Sequence, residues 1–394
     1  MSLLSQIRKD MSVSAVVAGL IIVLVGFTSS AVLVYQAARV FGLSAEDSSS
    51  WMGSHAIGLG FLTLILSVRY RMPVLLAWST AAAAILVTGN NGFTVHEATG
   101  AFLFSAFLIF LCGATGLFAK IMNRIPIAMA SALLAGVLVR FCLDTFASVK
   151  TQPLLIGSML IAYLVGRKWA PRLTMLLVLV TGVVAAGLSG LMHFEGVQIQ
   201  ATRFYFVWPE FSLTAILSLG LPIFVVTMAS QNLTGISVMR ANGYEPPVSS
   251  LMASSGFVNM LTSFYGGFTI NMAAITAAIG NGPEAHEDPS RRYITGVVSG
   301  LIYLAIGLMA GTVGSIFGAF PSEMVLAIAG FAFVSTTATC LQNALSNEQE
   351  KEAAFLTFLI AASGLTLYGI GPALWALIVG SVAHVFFLWR RRAA

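Results

Sequence analysis

Charged side chains are scarce in this sequence. They make up 9% of 394 residues, against roughly 25% in an ordinary soluble domain. That excludes a water-soluble fold, because the chain is 58% hydrophobic with a mean hydropathy of +0.90. Lipid must be the solvent. Cysteine is nearly absent: Cys112, Cys142 and Cys340 are the three, and all fall within apolar runs. An odd number of lipid-buried thiols builds no disulfide framework, so they read as small core residues. There is no CxxC and no His/Cys ligand cluster, so no metal site is expected. There is no GxxxxGK[ST] loop, so ATP is excluded as the direct energy source. No cofactor is implied. His, Asp and Cys nowhere group into a catalytic cluster, which argues against an integral-membrane enzyme. The pI near 9.2 does not point to nucleic acid, because the basic residues sit in short loops, where they set membrane orientation.

What is present is a succession of apolar runs. The first begins near Met11 after Arg8 and Lys9. It continues for about 28 residues without a small-residue cleavage site and reads as a retained span. Runs able to cross a bilayer, about 17–25 residues each, fall at 12–38, 48–67, 73–88, 98–120, 125–147, 151–166, 171–192, 211–239, 247–265, 268–280, 290–318, 321–344, 351–367 and 370–389. The third (Pro73 to Thr88) and the tenth (Phe268 to Gly280) are too short for ~30 Å of hydrocarbon as straight helices.

With a cytoplasmic N-terminus and fourteen crossings, the inner side holds Arg8, Lys9, Arg69, Arg71, Lys120, Arg124, Arg167, Lys168, Arg172, Arg240, Arg291, Arg292, Lys351, Arg390, Arg391 and Arg392. The outer side, or the outer half of spans, holds Arg39, Arg140, Lys150 and Arg203. This bias predicts that both termini are cytoplasmic. Dropping one crossing would scramble it, so the short segments must also cross, each as an extended piece followed by a half-helix. Such backbone survives only inside protein or beside a cavity.

The short segments resemble each other. One reads Trp78-Ser79-Thr80-Ala81-Ala82-Ala83-Ala84-Ile85, the other Phe268-Thr269-Ile270-Asn271-Met272-Ala273-Ala274-Ile275. Each is the third of a set of seven spans, and seven is odd, so the second set is inverted relative to the first. The predicted architecture is an all-α membrane protein of about fourteen segments in a seven-plus-seven inverted repeat, with substrate held between paired broken helices. Ser79 and Thr269 read as N-caps. Half-helix N-termini at Ser79–Thr80 and Thr269–Asn271 suit a carboxylate. Trp78 and Phe268 suit an aromatic ring, with Ile270 between the polar positions and Phe27 and Thr28 on the first span as further contacts. Mid-span Ser230, Gln231 and Asn232 either join helices or face substrate. Asp144 lies one helical turn from Arg140, which predicts an ion pair. His55, Asp144 and His384 are the intramembrane candidates for carrying a proton. The acid-rich stretch from Pro283 to Pro289 reads as a solvated loop balanced by Arg291 and Arg292.

Two blocks carry a family resemblance. Asn232-Leu233-Thr234-Gly235-Ile236 through Arg240-Ala241-Asn242-Gly243-Tyr244-Glu245-Pro246-Pro247 is one, and Gly266 through Ile279, running on to Tyr293, is the other. Both resemble the benzoate membrane transport family, and length and hydropathy extend the likeness over nearly the whole chain. The resemblance implies proton-linked uptake of benzoate, or a similar small aromatic anion, through a bacterial inner membrane. It also implies distant kinship with uracil and xanthine permeases, which have core and gate domains and are often dimers. On that analogy residues 1–122 and 211–319 form the core, 123–210 and 320–394 form the gate, and a homodimer is a candidate assembly. The permeases carry key carboxylates in the eighth and tenth spans. The matching regions here hold Ser230, Gln231 and Asn232, and Phe268, Thr269 and Asn271. A buried carboxylate would repel an anion, so its loss suits an anionic substrate. The alternatives are a nucleobase permease and an anion channel of the same fold.

Overall fold

The structure is a computed structural model that describes residues 3–90, 92–117, 127–273, 275–283, 285–368 and 371–392. Lys120, Arg124, Ala274 and Glu284, and the junction between the fourth and fifth spans, lie outside the described residues.

A short helix, Leu3–Asp10, precedes the membrane segments. Then follow α1 (Val13–Val40), α2 (Ala45–Tyr70), β1 (Leu76–Trp78), α3 (Thr80–Gly89), α4 (Val95–Ala114), α5 (Ile127–Ala147), α6 (Pro153–Trp169) and α7 (Thr174–Leu188). The second set is α8 (Leu213–Ala241), α9 (Val248–Ser263), β2 (Ile270–Met272), α10 (Ile275–Asn281), α11 (Tyr293–Leu308), α12 (Ser322–Leu345), α13 (Lys351–Ser363) and α14 (Pro372–Arg392). Among the described residues, six of these helices are long and apolar enough to cross a membrane alone: α1, α2, α4, α8, α12, and α5 with the turn that follows it. The shorter helices and the two extended pieces complete the fourteen segments.

Local sequence explains the element boundaries. Ser12, Ser44 and Ser79 cap the starts of α1, α2 and α3, each accepting a hydrogen bond from a first-turn N–H. Thr94 and Glu97 close a reciprocal capping box at α4. α2 ends at Arg71 in a left-handed conformation (φ 51), two residues before Pro73. Proline cannot donate to a helix and pushes the residue before it toward extended backbone. The chain therefore enters β1 extended.

The packing obeys the seven-plus-seven relation. α2 packs on α11, and its counterpart α9 packs on α4; α1 packs on α11, and its counterpart α8 packs on α4. α5 packs on its own counterpart α12 and on α13. Small residues permit the closest approach, as lipid offers helices no hydrophobic drive to associate. A Cβ on Gly300 of α11 would lie 2.8 Å from the Gly60 carbonyl oxygen of α2. The two halves meet in an antiparallel ladder, Leu76 opposite Met272, Ala77 opposite Asn271 and Trp78 opposite Ile270. Ser79 N–H donates to the Thr269 carbonyl at 3.0 Å, and Ala273 N–H to the Leu75 carbonyl at 2.9 Å.

Two expectations are corrected. The span read as 290–318 is broken: α11 stops at Leu308, and Ala310–Gly318 leaves it at 70°. The two pieces meet where Thr202 of the α7–α8 connection inserts its hydroxyl, accepting from Ala310 N–H at 2.9 Å and donating to the Gly307 carbonyl. The predicted Arg140–Asp144 pair does not form among the described residues. Asp144 is exposed, and the Arg140 guanidinium lies against Gly364 at the end of α13. The connection from His193 to Glu210 is a strap that runs without regular structure after a 3-10 turn at Phe194–Gly196. It hydrogen-bonds to Leu308 at the end of α11, Ser50 of α2, Phe264 after α9 and His96 of α4.

Asp10 ties the N-terminal helix to both half-repeats. Its carboxylate lies 3.2 Å from Arg71 Nη1 and accepts from the Tyr293 hydroxyl at 2.8 Å. One partner precedes β1 and the other follows α10, so the clasp holds the entry to one broken segment beside the exit of the other.

Candidate functional site

A cavity of about 460 Å³ opens beside the β1–β2 ladder. Its inner wall is built by Gly26 and Ser30 of α1, Ala77, Trp78 and Thr80 of segment 3, Ala273 and Thr276 of segment 10, and Tyr303 of α11. Ser230, Gln231, Thr234 and Ser237 of α8 form one flank. Ser131 and Leu134 of α5, with Ser335, Thr339, Cys340 and Asn343 of α12, face them. The cavity therefore lies between the α1–α4/α8–α11 group and the α5/α12 pair. It extends toward the end of the bundle where α8 and α12 finish and α5 begins. Among the described residues, no charged side chain lines it.

Trp78 is fixed as part of this wall. Its indole N–H donates to Ser30 Oγ at 2.7 Å, and Ser30 Oγ donates to the Gly26 carbonyl at 2.7 Å. Phe27 meets the indole edge-on at 6.1 Å and Tyr303 at 5.7 Å between ring centroids. Phe27 stands behind Trp78 rather than on the cavity surface. Ser79 is fully buried. Its Oγ accepts from Ala82 N–H at 3.1 Å and lies 3.3 Å from Thr227 Oγ1 of α8. Capping consumes its hydroxyl, and Thr80 is the hydroxyl residue that faces the cavity. The N–H groups of Thr80 and Ala81 precede the first intrahelical acceptor and take no protein partner among the described residues. They form the positive end of the α3 dipole.

α8 widens into π-helical turns at Ile216–Gly220 and Thr227–Asn232. The second re-aims three consecutive polar residues. Ser230 and Gln231 reach the cavity, whereas Asn232 turns away and accepts from Met272 N–H at 2.9 Å. Thr28 bonds its own helix, donating to the Leu24 carbonyl at 2.7 Å.

The segment 10 residues depart from expectation. Phe268 is fully buried in a cluster with Trp51, His55 and Phe102 and does not line the cavity. Thr269 is not an N-cap: the ladder occupies the backbone through Met272, ahead of α10, and the Thr269 hydroxyl donates to the Phe268 carbonyl. Ile270 and Asn271 are buried within the ladder. Asn271 Nδ2 donates to the Met272 carbonyl at 2.8 Å. Segment 10 reaches the cavity instead through Ala273 and Thr276.

None of the three proton candidates lines the cavity. His55 is fully buried behind β2, with Nδ1 2.8 Å from the Trp51 carbonyl and Nε2 accepting from Phe268 N–H at 3.0 Å. Asp144 is exposed near the far end of α5. His384 of α14 lies 4.0 Å from Glu350 at the start of α13.

Sequence reading missed Tyr303 and the polar face of α12. Ser335, Thr339 and Asn343 recur every four residues, the helical spacing that marks one face. A mid-span tyrosine among the glycines of α11 was the other available signal.

A sequence profile of the benzoate membrane transport protein family matches residues 9–386. The chain belongs to that family. It is a membrane transport protein and not an enzyme. Among relatives of this family member, a benzoate membrane transport protein of Acinetobacter baylyi is 35% identical over 387 residues, covering 98% of both chains. The inner membrane protein YdcO of Escherichia coli is 44% identical over 368 residues, covering 93% of this chain and 94% of that one. Solved structures share the fold at low identity. The transmembrane domain of the cyanobacterial bicarbonate transporter BicA matches with a TM-score of 0.63 at 14% identity, over 95% of this chain and 97% of that one. The murine anion transporter Slc26a9 in its inward-facing state matches with a TM-score of 0.60 at 14% identity, over 99% of this chain and 71% of that one.

Proposed function

We propose that the protein imports benzoate, or a closely similar aromatic carboxylate, together with a proton across a bacterial inner membrane by alternating access. One observation carries the reading: a cavity with no charged lining side chain among the described residues, in which the free N–H groups starting α3 lie beside the aromatic wall of Trp78 and Tyr303. Helix N-terminal N–H groups suit a carboxylate, and the indole and phenol rings suit an apolar ring. Trp78, Thr80, Ser230, Gln231 and Tyr303 are the proposed substrate contacts, with Ser79 and Phe27 as their supports. The relative from Acinetobacter baylyi, named for benzoate transport, supports the choice of anion.

Anion entry against an inside-negative potential costs about 2.3 kcal/mol per charge per 100 mV. One proton per benzoate removes that cost. Among the described residues no carboxylate or imidazole lines the cavity, which favours a proton that travels on the substrate itself. The proposed core comprises α1–α4 and α8–α11, and the gate comprises α5–α7 and α12–α14. The strap from His193 to Glu210 belongs with the core to which it is bonded. Both termini are assigned to the cytoplasm, so the cavity mouth faces inward. A homodimer through the gate helices is the proposed assembly.

Purified protein in liposomes, given labelled benzoate with and without an inward proton gradient, tests the function. Accumulation above equilibrium that requires the gradient is the expected result, and its absence would sink the symport reading. The second reading, an uncoupled anion carrier or channel, is favoured by the same absence of a lining carboxylate or imidazole among the described residues. It requires benzoate flux that follows voltage and ignores the pH gradient.

A further inference from the structure

An isolated pair of three-residue strands leaves each outer edge unpaired, and unpaired backbone at membrane depth costs several kcal/mol per group. The ladder pairs β2 with β1 through residues 269, 271 and 273, so the N–H groups of Phe268, Ile270 and Met272 point to the other side. Each of those three is met by a buried side chain from a different helix. His55 Nε2 of α2 accepts from Phe268 at 3.0 Å, Asn259 Oδ1 of α9 from Ile270 at 2.7 Å, and Asn232 Oδ1 of α8 from Met272 at 2.9 Å. Asn259 Nδ2 also donates back to the Ile270 carbonyl at 2.9 Å. All three side chains have no exposed surface.

We infer that His55, Asn259 and Asn232 are positioning residues that replace a missing third strand and fix the register of β2 against β1, and that His55 does this as a permanently neutral imidazole. The inference rests on the reading of the cavity beside this ladder as the substrate site. The imidazole's two neighbours specify one tautomer. A carbonyl faces Nδ1, which must carry the proton, and an N–H faces Nε2, which must offer its lone pair. A second proton would set N–H against N–H in a pocket walled by the Phe268 ring, 4.2 Å away, and by Trp51. No charged side chain bonds the ring among the described residues to offset that. The role also explains why polar residues sit mid-membrane on three helices yet two of them, His55 and Asn259, are remote from the cavity.

Glutamine separates bracing from proton carriage, because its Oε1 can reach the place of Nε2 and accept from Phe268 without titrating. Full-length protein in detergent is compared as His55→Gln, His55→Leu and Asn259→Leu by ligand-free hydrogen exchange of the peptide spanning 266–273, and in liposomes by the pH profile and KM of benzoate uptake. His55→Gln is expected to keep wild-type exchange, KM and pH profile. His55→Leu and Asn259→Leu are expected to speed exchange about tenfold or more, the factor for one stranded buried N–H, and to raise KM. Unchanged exchange in both leucine variants overturns the bracing role. A flattened pH profile in His55→Gln with wild-type exchange overturns the neutral role and makes His55 the proton carrier. The exchange arm needs no substrate, so it decides the bracing role even where wild-type protein fails to move benzoate.

Discussion

The indole N–H of Trp78 and the hydroxyl of Ser30 are bonded at 2.7 Å, joining the strand of segment 3 to the middle of α1. The bond holds the tryptophan ring as the wall of the cavity instead of leaving it free to rotate. Trp78→Phe keeps a ring but removes the donor, and Ser30→Ala removes the acceptor and strands a buried N–H. Each is expected to raise the KM for benzoate about five- to tenfold, in line with about 1 kcal/mol for such a bond. The double variant should be little worse than either, because the pair acts as one unit. Simple additivity in uptake kinetics would disconnect the two.

Thr80 offers a test of the α3 N-terminus itself. Proline is tolerated at the first helical position, where its missing N–H has no intrahelical acceptor. Ser79 before it is already extended (φ −77, ψ 103), as a residue preceding proline must be. Thr80→Pro therefore deletes one anion donor and leaves the helix. Benzoate affinity should fall about tenfold or more, the range for a charge-assisted bond, and Thr80→Val should retain most of it. Equal affinities for the two variants, measured by calorimetry, would remove the backbone from recognition.

Gly266 admits no side chain. Its φ is +85, and a Cβ there would lie 1.9 Å from Trp51 Cδ1. The turn it makes delivers Phe268 to His55. Gly266→Ala should lower the melting temperature in detergent and abolish uptake, whereas Gly282→Ala, with its nearest neighbour at 3.2 Å and no positive φ, should do neither. A Gly266→Ala protein that melts and transports normally would contradict the turn.

Thr339 stands in the mouth of the cavity on α12. In a variant with Cys112, Cys142 and Cys340 replaced by alanine, Thr339→Cys should react with a membrane-impermeant thiol reagent from the cytoplasmic side, and benzoate should slow the reaction. Labelling only from the periplasmic side would reverse the assigned orientation.

Much of this was legible in the residues. The two short segments announced themselves by length alone, and Ser79 by its place before an alanine run. Periodicity could not say which polar mid-span residues meet substrate and which meet backbone. Ser230, Gln231 and Asn232 are adjacent in sequence, and a π-turn sends the first two one way and the third another. Phe268 looked like the partner of Trp78 by alignment of the repeats. The register of the ladder turns Trp78 to the cavity and Phe268 to the Trp51 cluster. Thr202 breaks α11 from a distance of about a hundred residues in sequence, which no local window contains.

The strand ladder also sets a timetable. β1 and β2 belong to opposite halves, with Ser79 and Thr269 separated by 190 residues. At a synthesis rate of ~5–20 residues per second, the first strand waits roughly 10–40 s in the bilayer for its partner. Throughout that interval its backbone is an unsatisfied edge in hydrocarbon. The nascent first half is thus an obligate client of whatever shields it at the insertion site, and release from that custody coincides with arrival of the tenth segment.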